Sequence, residues 1–153
     1  MATKKYWRNI VKGPFFKDLE PGMAGTSIWA HHNEYKSGTT LGYHCVKTLY
    51  QALEPHSHPF HETFCFLGSN PLNIEDLQGA EIRICLGEEK EEQIITSAAA
   101  VTIPAGLMHC PLIIKPGKAP VIFLEISTTG GYTSDIDTQM TDVLRNPPDP
   151  PAE

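Results

Sequence analysis

The stretch Pro55-His56-Ser57-His58-Pro59-Phe60-His61-Glu62 gathers imidazoles and a carboxylate in one short run, and Pro104-Ala105-Gly106-Leu107-Met108-His109 adds an imidazole behind a turn. In a strand, residues two apart share a face. His56 and His58 then look the same way. Glu62 joins them if the strand runs straight past Pro59, and His61 points to the opposite face. Neutral imidazoles with a carboxylate make a chelate for a borderline divalent ion. Two histidines and one carboxylate with open positions suit non-haem Fe(II), while a third histidine keeps Fe, Mn, Ni, Co and Zn in range. The expected ligands of one divalent transition metal are His56, His58, Glu62 and His109. A lone His-x-His pair would fit a decorated surface turn equally well. The glutamate at matching parity and the histidine behind Pro-x-Gly do not.

Several strands must position these groups. Phe64 and Phe66 continue the Glu62 face, which puts two rings below the carboxylate. Residues 26–33 read as a strand; its neighbours His31 and His32 cannot both point inward, although one of them could face a pocket with Tyr35. Residues 41–53 alternate and read as one strand, on which either His44 or Tyr50 could stand beside the metal ligands. Residues 80–86 form a strand with Ile82, Ile84 and Leu86 inward. Gly87 opens a hairpin whose Glu88, Glu89, Glu91 and Glu92 read as a solvated tip. Residues 99–103 lead into the Pro104-Ala105-Gly106 turn. Residues 119–127 form an apolar strand in which Glu125 reads as rim or surface.

The spacing His56-x-His58, three residues, then Glu62 resembles the first motif of the cupin superfamily, and Pro104-x-Gly106-x-x-His109 resembles the second. The resemblance covers about residues 41–126. It implies a single jelly-roll β-barrel in which these same four residues bind the metal. Some positions depart from the family pattern. Tyr50, Ala98 and Ile113 stand where the family often has glycine, glycine and asparagine, and Gly68 comes one residue early. These departures touch turns and packing, not ligands. A homodimer is also implied.

Composition supports an all-β chain. The 153 residues suit one domain, and thirteen prolines with twelve glycines indicate many turns. The expected organisation is an N-terminal arm at 1–25, the barrel at 26–129 and an irregular tail at 130–153. Trp7, Phe15 and Phe16 in the arm call for a packing partner. A short helix is expected at 135–145, and the proline-rich 146–151 cannot continue it. A net charge of −6 argues against nucleic-acid binding. The start 1–8 lacks a following apolar region, as in a chain without a signal peptide, and the longest apolar run, 98–114, is broken by Pro104, His109 and Pro111. Cys45, Cys65, Cys85 and Cys110 form no Cys-x-x-Cys and read as buried reduced thiols of a cytoplasmic protein; Cys110, next to His109, should face away from the metal.

Four ligands leave one or two coordination positions for water, oxygen or substrate. Three functions remain open. The first is a metal-dependent oxygenase, isomerase or lyase acting on a small molecule, with His31, His32, His44 or His61 as candidate proton carriers. The second is a non-catalytic module that binds or senses a small ligand through the metal. The third is a metal that only braces the barrel.

Overall fold

The computed structural model describes residues 5–6, 16–17, 26–30 and 38–129, with backbone alone at 16–17 and 26–30. Ten strands run in order: β1 (Phe16–Lys17), β2 (Thr26–Ala30), β3 (Thr40–Val46), β4 (Tyr50–Ala52), β5 (Glu62–Gly68), β6 (Glu81–Leu86), β7 (Glu91–Ile95), β8 (Ala99–Ile103), β9 (His109–Lys115) and β10 (Val121–Ser127). They form a six-stranded sheet, β1-β2-β3-β10-β5-β8, and a four-stranded sheet, β4-β9-β6-β7, with every pairing antiparallel. This is the expected all-β jelly roll. Among the described residues no ladder closes it into a barrel; the two sheets face each other as a sandwich.

Alternation builds the core. In β5, Glu62, Phe64, Phe66 and Gly68 are buried, and the residues between them are half-buried. From the facing sheet come Ile82, Ile84, Leu112 and Ile114, all 2 % exposed or less. Phe66 stacks on Phe123 with centroids 5.1 Å apart, and Phe64 meets Phe123 edge-on at 5.2 Å. Such offset and edge-to-face pairs add to the stabilisation from burial alone. Gly68 ends β5 where a Cβ would overlap the Asp76 carbonyl, so the loop after it packs against bare backbone.

Several expectations need correcting. Residues 41–53 are not one strand. Lys47, Thr48 and Leu49 are exposed and break it, so β3 pairs with β10 in one sheet while β4 pairs with β9 in the other. Two short ladders in separate sheets satisfy more backbone than a single strand could. Nor does a strand run from His56 to Glu62: β5 begins at Glu62, and the proline-flanked residues before it are irregular. Phe16 and Lys17, inside the expected arm, pair with β2. Trp7, Phe15, His31, His32, Tyr35, the tail at 130–153 and its expected helix lie outside the described residues.

The acidic hairpin is as expected. Glu88, Glu89, Glu91 and Glu92 are all exposed, and Arg83 pairs with Glu81 at 2.7 Å and with Glu92 at 3.5 Å. Pairs this exposed contribute little to stability.

Phe66→Ala removes a fully buried ring from the centre of the sandwich. It should lower unfolding free energy by about 3–5 kcal/mol in chemical denaturation. A loss near zero would mean that the two sheets do not pack through this ring.

Candidate metal centre

Two backbone hydrogen bonds bring the two histidine segments together. The His56 amide donates to the His109 carbonyl at 3.0 Å, and the His109 amide donates to the His56 carbonyl at 2.9 Å. This bridge prolongs the β4–β9 ladder with a one-residue offset, since Ala52 to His56 is four steps and Leu112 to His109 is three. The β6–β9 ladder shifts at the same place, between Ile84 and Leu86. The chain there carries a left-handed Cys110 with φ of 79° and a cis Cys110–Pro111 bond. Two more bonds fasten the turn before His109: the Gly106 amide donates to the His58 carbonyl at 2.8 Å, and the Ala105 amide to His61 Nδ1 at 3.0 Å.

The ligating atoms of His56, His58 and His109 lie within 4.8 Å of one another. Ring centroids are 4.3 Å apart for His56 and His109, 4.8 Å for His56 and His58, and 5.0 Å for His58 and His109. His58 and His109 are buried and His56 is half-buried, so the cluster meets solvent on the His56 side. These three imidazoles could hold a metal ion. Glu62 Oε2 stands 3.4 Å from His58 Nε2 and 3.6 Å from His109 Nε2.

The rings are oriented before any ion arrives. His56 Nδ1 lies 2.8 Å from the Glu54 carbonyl, and His109 Nδ1 lies 3.0 Å from the Leu107 carbonyl. A carbonyl only accepts, so in each ring Nδ1 carries the hydrogen and Nε2 keeps its lone pair. His58 stacks on Phe60 at 4.9 Å with planes 15° apart. The Ser127 hydroxyl donates to Glu62 Oε1 at 3.1 Å, which turns Oε2 toward the imidazoles. Glu62 Oε2 and His109 Nε2 are buried atoms that make no hydrogen bond with one another or with other groups.

His61 is exposed, and its ring accepts from the Ala105 amide outside the cluster. Tyr50 is a core residue, 7 % exposed and 6.5 Å from the Phe123 ring. His44 is buried, and its Nε2 lies 2.6 Å from Glu125 Oε2. Glu125 is therefore not a surface residue: it shares the inward face of β10 with Phe123 and Ser127. Only the pairing partner of β10 could have disclosed this. Cys110 is buried as expected, directly after His109 at the offset in β9, and it is not part of the histidine cluster. Burial pushes its thiol up to about 12, with the negative charges of Glu62 and Glu125 adding to the effect.

Two outcomes check this geometry. In the native protein at neutral pH, Cys110 should resist iodoacetamide while half-buried Cys45, Cys65 and Cys85 are alkylated, read by peptide mass mapping. His61→Ala should cost about 1 kcal/mol of stability through the lost Ala105 bond and leave metal content unchanged by plasma mass spectrometry. Loss of the ion in that variant would make His61 a ligand.

The chain matches no family model and no curated protein. It is similar to solved structures. An oxalate oxidase in complex with the substrate analogue glycolate shares 13% identity at a TM-score of 0.52, over 78% of this chain and 57% of that one. Peruvianin-I, described as a cysteine peptidase from Thevetia peruviana latex, shares 13% identity at a TM-score of 0.54, over 82% of this chain and 72% of that one. The chain thus spans little more than half the length of the oxalate oxidase. Likeness at this identity concerns the fold, and the fold is the jelly roll that the cupin resemblance implies.

Proposed function

We propose that His56, His58, Glu62 and His109 hold one divalent transition metal, and that the protein is a metal-dependent enzyme of the oxygenase, isomerase or lyase class acting on a small molecule. The observation that carries this reading is the convergence of three imidazoles within 4.8 Å, with Glu62 Oε2 at 3.4 and 3.6 Å from two of them. The donor set fits. Three neutral nitrogens and one carboxylate oxygen suit Fe, Mn, Ni, Co or Zn better than Ca or Mg, which prefer all-oxygen shells.

When bound, the ion would supply Lewis acidity and open positions for a small ligand. The chain's own residues do the rest. Carbonyls of Glu54 and Leu107 fix the ring tautomer that presents Nε2 to the cluster. Ser127 aims Glu62. Phe64, whose ring lies 6.0 Å from that of His109, closes the inner side of the cluster against water. Solvent and substrate enter past half-buried His56. The oxalate oxidase with glycolate bound supports a small oxygen-rich ligand. Pairing of two copies belongs to the same proposal, supported by Leu41 and Tyr43, which leave apolar surface on the outer face of β3.

Plasma mass spectrometry of the native chain and His109→Ala, side by side, tests the site. About one ion per native chain is expected, with most of it lost in the variant. Glu62→Gln should stay folded and bind the ion about 10–100-fold more weakly. A native chain that takes up no ion after reconstitution overturns the reading, and full occupancy in Glu62→Gln removes the glutamate from the ligand set. The ion found selects the assay: oxygen consumption for iron, hydrolysis or isomerisation for zinc or manganese.

A further inference from the structure

We propose that Glu125, held by His44, forms a subsite beside the metal centre that accepts a hydrogen bond from a hydroxyl or ammonium group of a small chelating acid. The inference rests on the metal reading above and assigns the kind of ligand that the site takes.

The strand register sets the geometry. Across the six-stranded sheet, Ser127 stands opposite Glu62, Glu125 opposite Phe64 and Gly42, and Phe123 opposite Phe66 and His44. Glu125 and Glu62 are therefore diagonal neighbours on adjacent strands and share the inner face. Such residues lie about 7–8 Å apart, within reach of the two ends of one small ligand. Gly42 presents no side chain opposite Glu125, which leaves the carboxylate room to turn toward His44. The side chains of His44 and Glu125 are 3% and 16% exposed. Glu125 shares the inward parity of β10 with Phe123 and Ser127, and 16% of its side chain stays accessible.

Packing does not ask for this pair. The row beneath it is Phe66 on Phe123, and the His44 ring already meets Phe123 at 5.5 Å with planes tilted by 39°. A buried ion pair or charge-assisted pair is commonly replaced by apolar groups at no cost in stability. Its chemistry is one-sided. Glu125 Oε2 accepts from His44 Nε2, so the imidazole fixes the carboxylate, and a carboxylate offers a ligand only acceptor capacity. It therefore favours a chelator carrying a donor group and disfavours the same chelator carrying a carbonyl or a second carboxylate in that place.

The test uses the full-length protein loaded with cobalt(II), whose visible absorption reports ligands entering the coordination sphere. It is titrated with lactate and with pyruvate, chelators of equal charge that differ in a hydroxyl against a carbonyl. Wild-type protein should bind lactate at least about tenfold more tightly than pyruvate, and E125Q, with cobalt stoichiometry unchanged, should lose that preference. Removing the negative charge changes affinity for both anions alike, so their ratio isolates the hydrogen bond. H44F keeps the carboxylate, removes its tether and should narrow the ratio severalfold; it decides the matter should E125Q not fold. Equal affinity for the two probes in wild-type protein, or a ratio unchanged in the folded variants, overturns the subsite and leaves the metal reading intact. Wild-type protein that binds no cobalt overturns both.

Discussion

The site depends on the pair of backbone hydrogen bonds between His56 and His109. They join segments far apart in sequence, and the entropy of closing so long a loop is not met by two bonds, each worth about 0.5–1.5 kcal/mol net. The ladders of β4 and β6 on β9 meet that cost first. The bridge then adds its bonds on a strand already in place. This order explains why the offset sits between Leu112 and His109. The regular part of β9 locks the register, and the irregular part is free to turn His109 inward.

Burying Glu62 beside imidazoles is costly. A carboxylate that is 1 % exposed has left water, and only Ser127 donates to it directly among the hydrogen bonds to its side chain described above. Removing one partner from such a cluster strands the others, whereas an apolar residue of similar shape would pack there without penalty. An ion bound there would offset the cost of burying Glu62, so that ion binding and folding would be coupled through it.

Legibility in the sequence followed the range of each interaction. The placement of Glu62, Phe64 and Phe66 on one face is a local consequence of alternation and was readable. His61 lies outside the cluster as expected but not by that logic, since it precedes β5 and no strand alternation acts on it. The route from His56 to Glu62 was not readable, because Pro59 and the preceding residues leave the strand, and the three imidazoles converge through a loop and a bridge instead. Glu125 was misread because an apolar strand does not declare which of its faces is inner. That is decided by pairing with β3 and β5, a property of residues distant in sequence. The irregular register at His109-Cys110-Pro111 was not readable, although the burial of Cys110 was. The break at 47–49 likewise reflects two strands recruited to opposite sheets.

The members of the cluster are oriented by three kinds of contact, and these draw on both local segments and a distant strand. The Glu54 and Leu107 carbonyls fix two imidazoles from within their own segments. Phe60 holds His58 by stacking, again locally. Glu62 alone is oriented from another strand, through Ser127 on β10. The histidine cluster could therefore survive a disturbance of the six-stranded sheet that leaves the loop and the bridge intact, whereas Glu62 could not keep its aim. The same strand, two residues earlier, carries Glu125 and so sets both carboxylates of the interior from one backbone. A shift of β10 relative to β5 would displace Ser127 and Glu125 together. The proposed metal affinity and ligand preference would then change together through the β10–β5 register.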